Sequence, residues 1–211
     1  MDTNNNTRNI VIVDIDNTVH ESDITMKRAS MELFNSPFKW CQQPEWYVFG
    51  DEQMPLEHGL KVFNRMHDRD MIFLTDPYVG SIEGLHAIAD AGYEIKYFTD
   101  RKPEAQADTV DWLEKYGMPN AEAVTCCKDK RAELAEIKDQ IVTIIDDRPR
   151  TLIYSKFELG IPKVYSLKHP YNRNLTDIPD IFLRDTWKEL TETFMLEMGV
   201  ASVRAGSTLQ S

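Results

Sequence analysis

The residues of this chain best suited to chemistry are carboxylates that follow apolar runs. Ile10-Val11-Ile12-Val13 leads into Asp14-Ile15-Asp16, and the run from Ile141 to Ile145 leads into Asp146-Asp147-Arg148. Asp14 and Asp16 stand two apart on an extended segment, so their side chains leave on one face. Two carboxylates ~4 Å apart repel by about 4 kcal/mol at an effective dielectric near ~20, and such a cluster calls for a cation. An all-oxygen site that keeps positions open for phosphate suits magnesium. Thr99 ends a third apolar run, Glu94 to Phe98, and Lys128 and Lys130 follow a fourth, Ala121 to Cys127. Phosphoryl transfer gives each group a task. A carboxylate such as Asp14 attacks phosphorus directly. Asp16 protonates the leaving oxygen and later deprotonates water. Thr99 hydrogen-bonds a phosphoryl oxygen, and a lysine neutralises the transferring group. Taken singly, each cluster is more often a solvated turn, a loop or a helix cap than a site of chemistry. All four in order, each at a strand end, make the chemical reading.

The elements that must position these groups are a series of short apolar runs separated by helical patterns. Continuous apolar runs such as Ile10–Val13, Glu94–Phe98, Ala121–Cys127, Ile141–Ile145 and Lys163–Leu167 read as strands buried on both faces. The expectation is an α/β fold: a five-stranded parallel sheet flanked by helices, with its ligand at the strand ends. Ser81 to Ala91 offers Ile82, Leu85 and Ala89 on one face and stops at Gly92. Pro103 to Tyr116 begins with proline, turns Ala107, Val110 and Leu113 inward and stops at Gly117. Arg131 to Lys138 contributes Leu134 and Ile137, and Asp185-Thr186 caps a last helix carrying Trp187, Leu190, Phe194 and Met198.

Between the first two strands lies a long stretch, Val19 to Val79, rich in aromatics: Phe34, Phe38, Trp40, Trp46, Tyr47 and Phe49. It holds helical patterns near Ile24 to Phe34 (Met26, Ala29, Leu33) and Leu56 to His67 (Leu56, Leu60, Phe63), and reads as a helical insertion over the sheet edge. Met71 to Leu74 suits a short strand or a connector. The expected division is a discontinuous core, 1–20 and 80–200, an inserted unit, 21–79, and a flexible tail, 201–211.

Bulk properties narrow the class. A chain of 211 residues can bury a core without disulfides. Its three cysteines, Cys41, Cys126 and Cys127, lack metal-ligand spacing and read as buried thiols. The polar first nine residues lack a signal-peptide core, and no run nears the ~20 apolar residues of a membrane span. The expected location is the cytoplasm. A net charge of −11 disfavours a long nucleic acid as partner and is compatible with a small phosphorylated one.

Asp14-Ile15-Asp16-Asn17-Thr18, Thr99, Lys130 and Asp146-Asp147 together resemble the four motifs of the haloacid dehalogenase superfamily of phosphohydrolases. The resemblance runs from Asn9 to about Leu190, apart from the insertion, and its texture is similar to the branch of 5'(3')-deoxyribonucleotidases and polynucleotide kinase phosphatases. It implies a Rossmann-like core with a cap inserted after the first motif. It implies that Asp14 and Asp146 bind magnesium by side chain, that Asp16 adds its backbone carbonyl, and that Asp147 supports the metal or its waters. Lys130 is preferred to Lys128 because it opens the helix Arg131 to Lys138. Thr99 is preferred to Thr75, in the similar run Ile72 to Asp76, because a helix follows Thr99 directly. Asn17 stands where glycine is common, and asparagine tolerates positive φ.

Substrate-binding candidates are Asp100 and Arg101, beside Thr99, and Trp46, which suits base stacking like its aromatic neighbours or packing within the insertion. Arg173, in His169-Pro170-Tyr171-Asn172-Arg173-Asn174, a segment that also resembles nucleotidase-like members, suits phosphate or plain solvent exposure. The resemblance implies a magnesium-dependent phosphomonoesterase, foremost a 5'-nucleotidase for (deoxy)nucleoside monophosphates, compatible with a homodimer. The alternatives are a polynucleotide 3'-phosphatase, another small-ester phosphatase, or a non-hydrolytic phosphate-binding regulator.

Overall fold

The computed structural model describes residues 8–35 and 55–200. The elements run β1 (Ile10–Val13), α1 (Ser22–Phe34), α2 (Leu56–Met66), α3 (Arg69–Ile72), α4 (Ser81–Asp90), β2 (Glu94–Thr99), α5 (Gln106–Lys115), β3 (Val124–Cys126), α6 (Lys130–Glu136), β4 (Ile141–Ile145), α7 (Pro149–Phe157), β5 (Lys163–Leu167), β6 (Ile181–Arg184) and α8 (Trp187–Glu197). The strands form one sheet in the order β3-β2-β1-β4-β5-β6, every pair parallel.

Burial on both faces is written into β1. Val11 and Val13 pack with Leu85 and Ile88 of α4, Trp112 of α5, and Leu190 and Phe194 of α8. Ile10 and Ile12 pack oppositely, with Leu134 of α6 and Leu152 of α7. The alternation puts successive side chains into different cores, which requires helices on both sides. The helices α1, α2 and α3 close a third, smaller cluster of Met26, Ala29, Val62, Met66 and Met71. Arg69 of α3 reaches Asp108 (2.5 Å) and Asp111 (2.6 Å) of α5, and Lys102 reaches Asp68 (2.7 Å), tying this layer to the main body.

Several expectations are corrected. The sheet has six strands rather than five. β6 was hidden because an edge strand of four residues alternates between buried (Ile181, Leu183) and half-buried (Phe182, Arg184) and forms no continuous apolar run. In α2 the inward face is Gly59, Val62 and Met66, whereas Leu56 and Leu60 are 57% and 52% exposed. The whole stripe is rotated because α2 packs on α1 and α3 instead of on the sheet. Ala107 is exposed, and Thr109, Trp112 and Leu113 face the core from α5. Met71 and Ile72 belong to the short helix α3, not to a strand. Cys126 and Cys127 are buried free thiols, as expected, and burial pushes both up, Cys126 to about 11. Cys41 and the aromatics from Phe38 to Phe49, Trp46 among them, lie outside the described residues, as does the tail from 201. Among the described residues, no helix is long and apolar enough to cross a membrane.

Candidate active site

The strand order reverses at β1, from which the chain winds outward in both directions. That is the switch point where the carboxyl ends of neighbouring parallel strands open a crevice. Asp14 follows β1, its N–H donating to the Ile145 carbonyl (2.8 Å), and Asp146 follows β4, its N–H donating to the Tyr165 carbonyl (3.1 Å). Residues 132 positions apart thus end side by side. Oxygens of Asp14, Asp146 and Asp147 all lie within 4.8 Å of one another, and all three side chains are buried. Lys130, itself buried at the start of α6, donates to Asp14 Oδ1 (2.5 Å) and Asp146 Oδ2 (2.7 Å).

One lysine does not neutralise three buried carboxylates. Burial, helped by repulsion from Asp146, Asp147 and Asp16 and opposed by Lys130, holds the Asp14 carboxyl well above the usual range. Burial and the Asp146 charge push Asp147 up to about 8. Lys130 moves upward because the attraction of Asp14 and Asp146 outweighs its own burial. Surplus negative charge in an oxygen-only donor set is what a hard divalent cation such as magnesium requires, and the three carboxylates fit it. Such a cation would also meet the Asp147 carboxylate, which Tyr171 steadies through its hydroxyl.

Asp16 has a different fate from Asp14. It too lines the pocket at Asp14, but Arg101 grips its carboxylate through Nε (3.0 Å to Oδ2) and Nη2 (2.7 Å to Oδ1). Ser22 Oγ (2.5 Å) and Thr99 Oγ1 (3.3 Å) also donate to it. Burial alone would raise this carboxyl, but the charge and hydrogen bonds of Arg101 hold it far below the usual range. The turn that follows Asp16 depends on Asn17, whose φ is +57°. Asn17 is buried, its side-chain oxygen accepting from the Asp23 N–H (3.2 Å) and its carbonyl from His169 Nε2 (2.9 Å).

The pocket at the acids encloses about 40 Å³ and is lined by Asp14, Asp16, Asp100, Lys130, Asp146, Asp147 and Arg148, with Phe63, Met66 and His67 from α2 and its end. Burial holds His67 and His20 neutral, at about 3 and about 4. Asp100 lines the pocket and pairs with Arg148 (2.7 Å). Thr99 and Arg101 reach the site through Asp16. Of the two lysines, Lys130 is in the pocket and Lys128 is exposed. Thr75 bonds His20 (2.9 Å) instead of a carboxylate. Arg173 is exposed on the turn Arg173–Leu175 and does not line this pocket.

Sequence reasoning missed Tyr171 and Asn172, the neighbours of Arg173. Asn172 is fully buried, and its amide donates to the carbonyls of Asp147 (3.1 Å) and Leu167 (2.9 Å). A buried Asn after a strand is the kind of signal that points to a loop held by its side chain, but burial is not readable from one chain. Ser22, too, gave no signal beyond its place at a helix start.

No family model matches the chain, and no curated protein matches it by sequence. Solved structures do match it in three dimensions. A phosphate- and sodium-bound HAD family hydrolase from Deinococcus radiodurans is similar with a TM-score of 0.60 at 13% identity, over 90% of this chain and 96% of that one. CbbY from Rhodobacter sphaeroides, in complex with phosphate, is similar with a TM-score of 0.57 at 15% identity, over 87% and 96%. A haloacid dehalogenase-like family hydrolase from Streptococcus pneumoniae is similar with a TM-score of 0.60 at 13% identity, over 88% and 98%. The fold of this chain is the one found in haloacid dehalogenase-like hydrolases.

Proposed function

We propose that the chain is a magnesium-dependent phosphomonoesterase working through an aspartyl-phosphate on Asp14, with a nucleotide as its substrate class. The observation that carries the reading is the buried set of Asp14, Asp146 and Asp147 crossed by the Lys130 ammonium at the switch point of the sheet. Phosphate bound by the D. radiodurans and R. sphaeroides proteins, which share the fold, supports it.

Magnesium, held by the side chains of Asp14, Asp146 and Asp147 and the Asp16 carbonyl, would lower the repulsion between Asp14 and the phosphate it attacks. Lys130 places its positive charge beside Asp14 and so faces the transferring phosphoryl group. A bond forms from the Asp14 carboxylate to phosphorus as the ester P–O bond breaks, and Asp16 supplies the proton taken up by the leaving oxygen. Water then attacks phosphorus, its proton returns to Asp16, and phosphate leaves with Asp14 restored as carboxylate. Arg101 holds the Asp16 carboxylate at the site through paired hydrogen bonds, and Asp16 takes up its proton against that charge. In this reading α1 to α3 belong to a cap, 21–79, from which Phe63 and Met66 of α2 and His67 after it line the pocket.

The test is phosphate release from ribo- and deoxynucleoside 5'- and 3'-monophosphates, sugar phosphates and a 3'-phosphorylated oligonucleotide, with magnesium and with chelator. Turnover concentrated on nucleotides, abolished by chelator and lowered at least ~10³-fold in a folded Asp14→Asn variant, is the expected result. Wild-type turnover by Asp14→Asn would remove the nucleophile assignment. Release from no ester, by a folded protein that magnesium still stabilises, would leave a phosphate-binding protein instead.

A further inference from the structure

The pocket at Asp14 is small, about 40 Å³, room for about three waters at ~10–15 Å³ each and not for a whole substrate. On one side it is bounded by Phe63, Met66 and His67. At Asp100, Lys130 and Arg148 it runs into a neighbouring groove of about 310 Å³, which those three residues also line. That groove lies next to the pocket, within reach of the leaving group of an ester held at Asp14.

The groove has the opposite sign to the molecule. Five cations, Lys128, Lys130, Arg131, Arg148 and Arg150, line it against two acids, Asp100 and Asp129, in a chain with 24 Lys and Arg against 35 Asp and Glu. Both acids are engaged locally, as are Lys130, which donates to Asp14 and Asp146, and Arg148, which pairs with Asp100. Asp129 caps α6, accepting from the N–H groups of Arg131 (3.1 Å) and Ala132 (3.3 Å), and Asp100 pairs with Arg148. The cations come from two connections and the first turns of the helices after them: Lys128 with Lys130 and Arg131 of α6 after β3, and Arg148 with Arg150 of α7 after β4, so the sheet concentrates them. Beyond them Arg131, Arg148 and Arg150 also border a second hollow of about 470 Å³, where Tyr154 lies under Arg131 with its ring 5.6 Å from the guanidinium carbon. Charge followed by an aromatic face suits an anion attached to a flat organic group.

We infer that this groove binds a second phosphate carried by the leaving group, so that the ester hydrolysed is a bisphosphate or a phosphate-ended polynucleotide in preference to a plain monophosphate. The inference rests on the phosphatase reading of the Asp14 pocket. It restores a basic surface that net charge conceals, because counterion release and local field depend on the patch, not on the sum.

The decisive measurement is calorimetric titration of the full Asp14→Asn chain, with magnesium, by adenosine 5'-monophosphate and adenosine 3',5'-bisphosphate. The bisphosphate is expected to bind at least ~10-fold tighter, and the ratio to fall towards one in the added Lys128→Glu, Arg150→Glu variant. The same ratio should fall between ~50 and ~200 mM salt in the chain without those changes, which tests the groove without a further substitution. A ratio near one from the outset, or one indifferent to both salt and charge reversal, overturns the inference. A 3'-phosphorylated oligonucleotide that binds more tightly than the bisphosphate identifies a polynucleotide end as the source of the second phosphate, and a weaker one identifies a small bisphosphate. Wild-type turnover separates the two readings. No hydrolysis of any ester with the affinity ratio intact removes the phosphatase and keeps the groove, whereas hydrolysis without preference removes the groove alone.

Discussion

Asp14 and Asp16 share a residue type and a strand end, yet their surroundings drive them apart. Asp14 is pushed up by burial among carboxylates, and Asp16 is pulled down by Arg101. In the proposed reaction, ionising Asp14 for attack depends on the cation, and a proton on Asp16 must be gained against the pull of Arg101. Arg101 is 1% exposed and also donates through Nη1 to Thr109 Oγ1 (3.2 Å), so its charge has no route to water. Removing one partner of a buried pair strands the other. Arg101→Ala is therefore expected to lower unfolding stability by about 3–5 kcal/mol in urea titrations. Adding Asp16→Asn should recover part of that loss, and strictly additive effects would show that the two do not act as a pair.

At the scale of elements, the site depends on helices that never touch it. Trp187 at the start of α8 donates from its indole to the Thr18 carbonyl (2.7 Å), fixing the turn that follows Asp16. Trp187 reaches that position only because α4 carries Gly84 opposite it. A Cβ there would lie 3.1 Å from the Trp187 ring and would collide with Thr191 Oγ1. Alanine normally strengthens a helix by about 1 kcal/mol over glycine. Here overpacking of ~1–3 kcal/mol opposes it. Gly84→Ala is expected to lower the melting temperature by about 2–6 °C. It should also reduce turnover, because the displaced indole releases Thr18. A melting temperature equal to or above wild type would show that α8 yields freely. The loop after β5 has a similar office: Asn172 ties it to Asp147 and Leu167, and Tyr171 caps the Asp147 carboxylate.

Over the whole molecule, the acidic cluster sets a stability that depends on both pH and cation. Asp147 has a folded-state value raised from 3.8 to about 8. A raised acid contributes stability that is complete below 3.8 and lost as pH climbs through 8, since the folded chain holds the proton the unfolded chain releases. A cation takes the proton's place, so magnesium binding competes with protonation. The rise in melting temperature caused by magnesium is therefore expected to be larger at pH 8.5 than at pH 6, as read by scanning calorimetry. An equal or smaller rise at the higher pH would place the cation elsewhere.

The sequence by itself determined the α/β class and the parallel sheet, because residues buried on both faces leave continuous apolar runs. It also determined which residues stand at the strand ends, since Asp14, Thr99, Lys130 and Asp146 each follow such a run. Asn17 at φ +57° was legible for the same local reason, as few other side chains accept that backbone. Other features were decided in three dimensions. The rotation of α2, the alternating edge strand β6 and the hold of Asn172 on Asp147 depend on what packs against them. So do the opposed states of Asp14 and Asp16 and the basic groove in an acidic chain. Local pattern records whether a segment is buried. Which groups share a low-dielectric space, and with what net charge, is set by contacts between residues far apart in the chain.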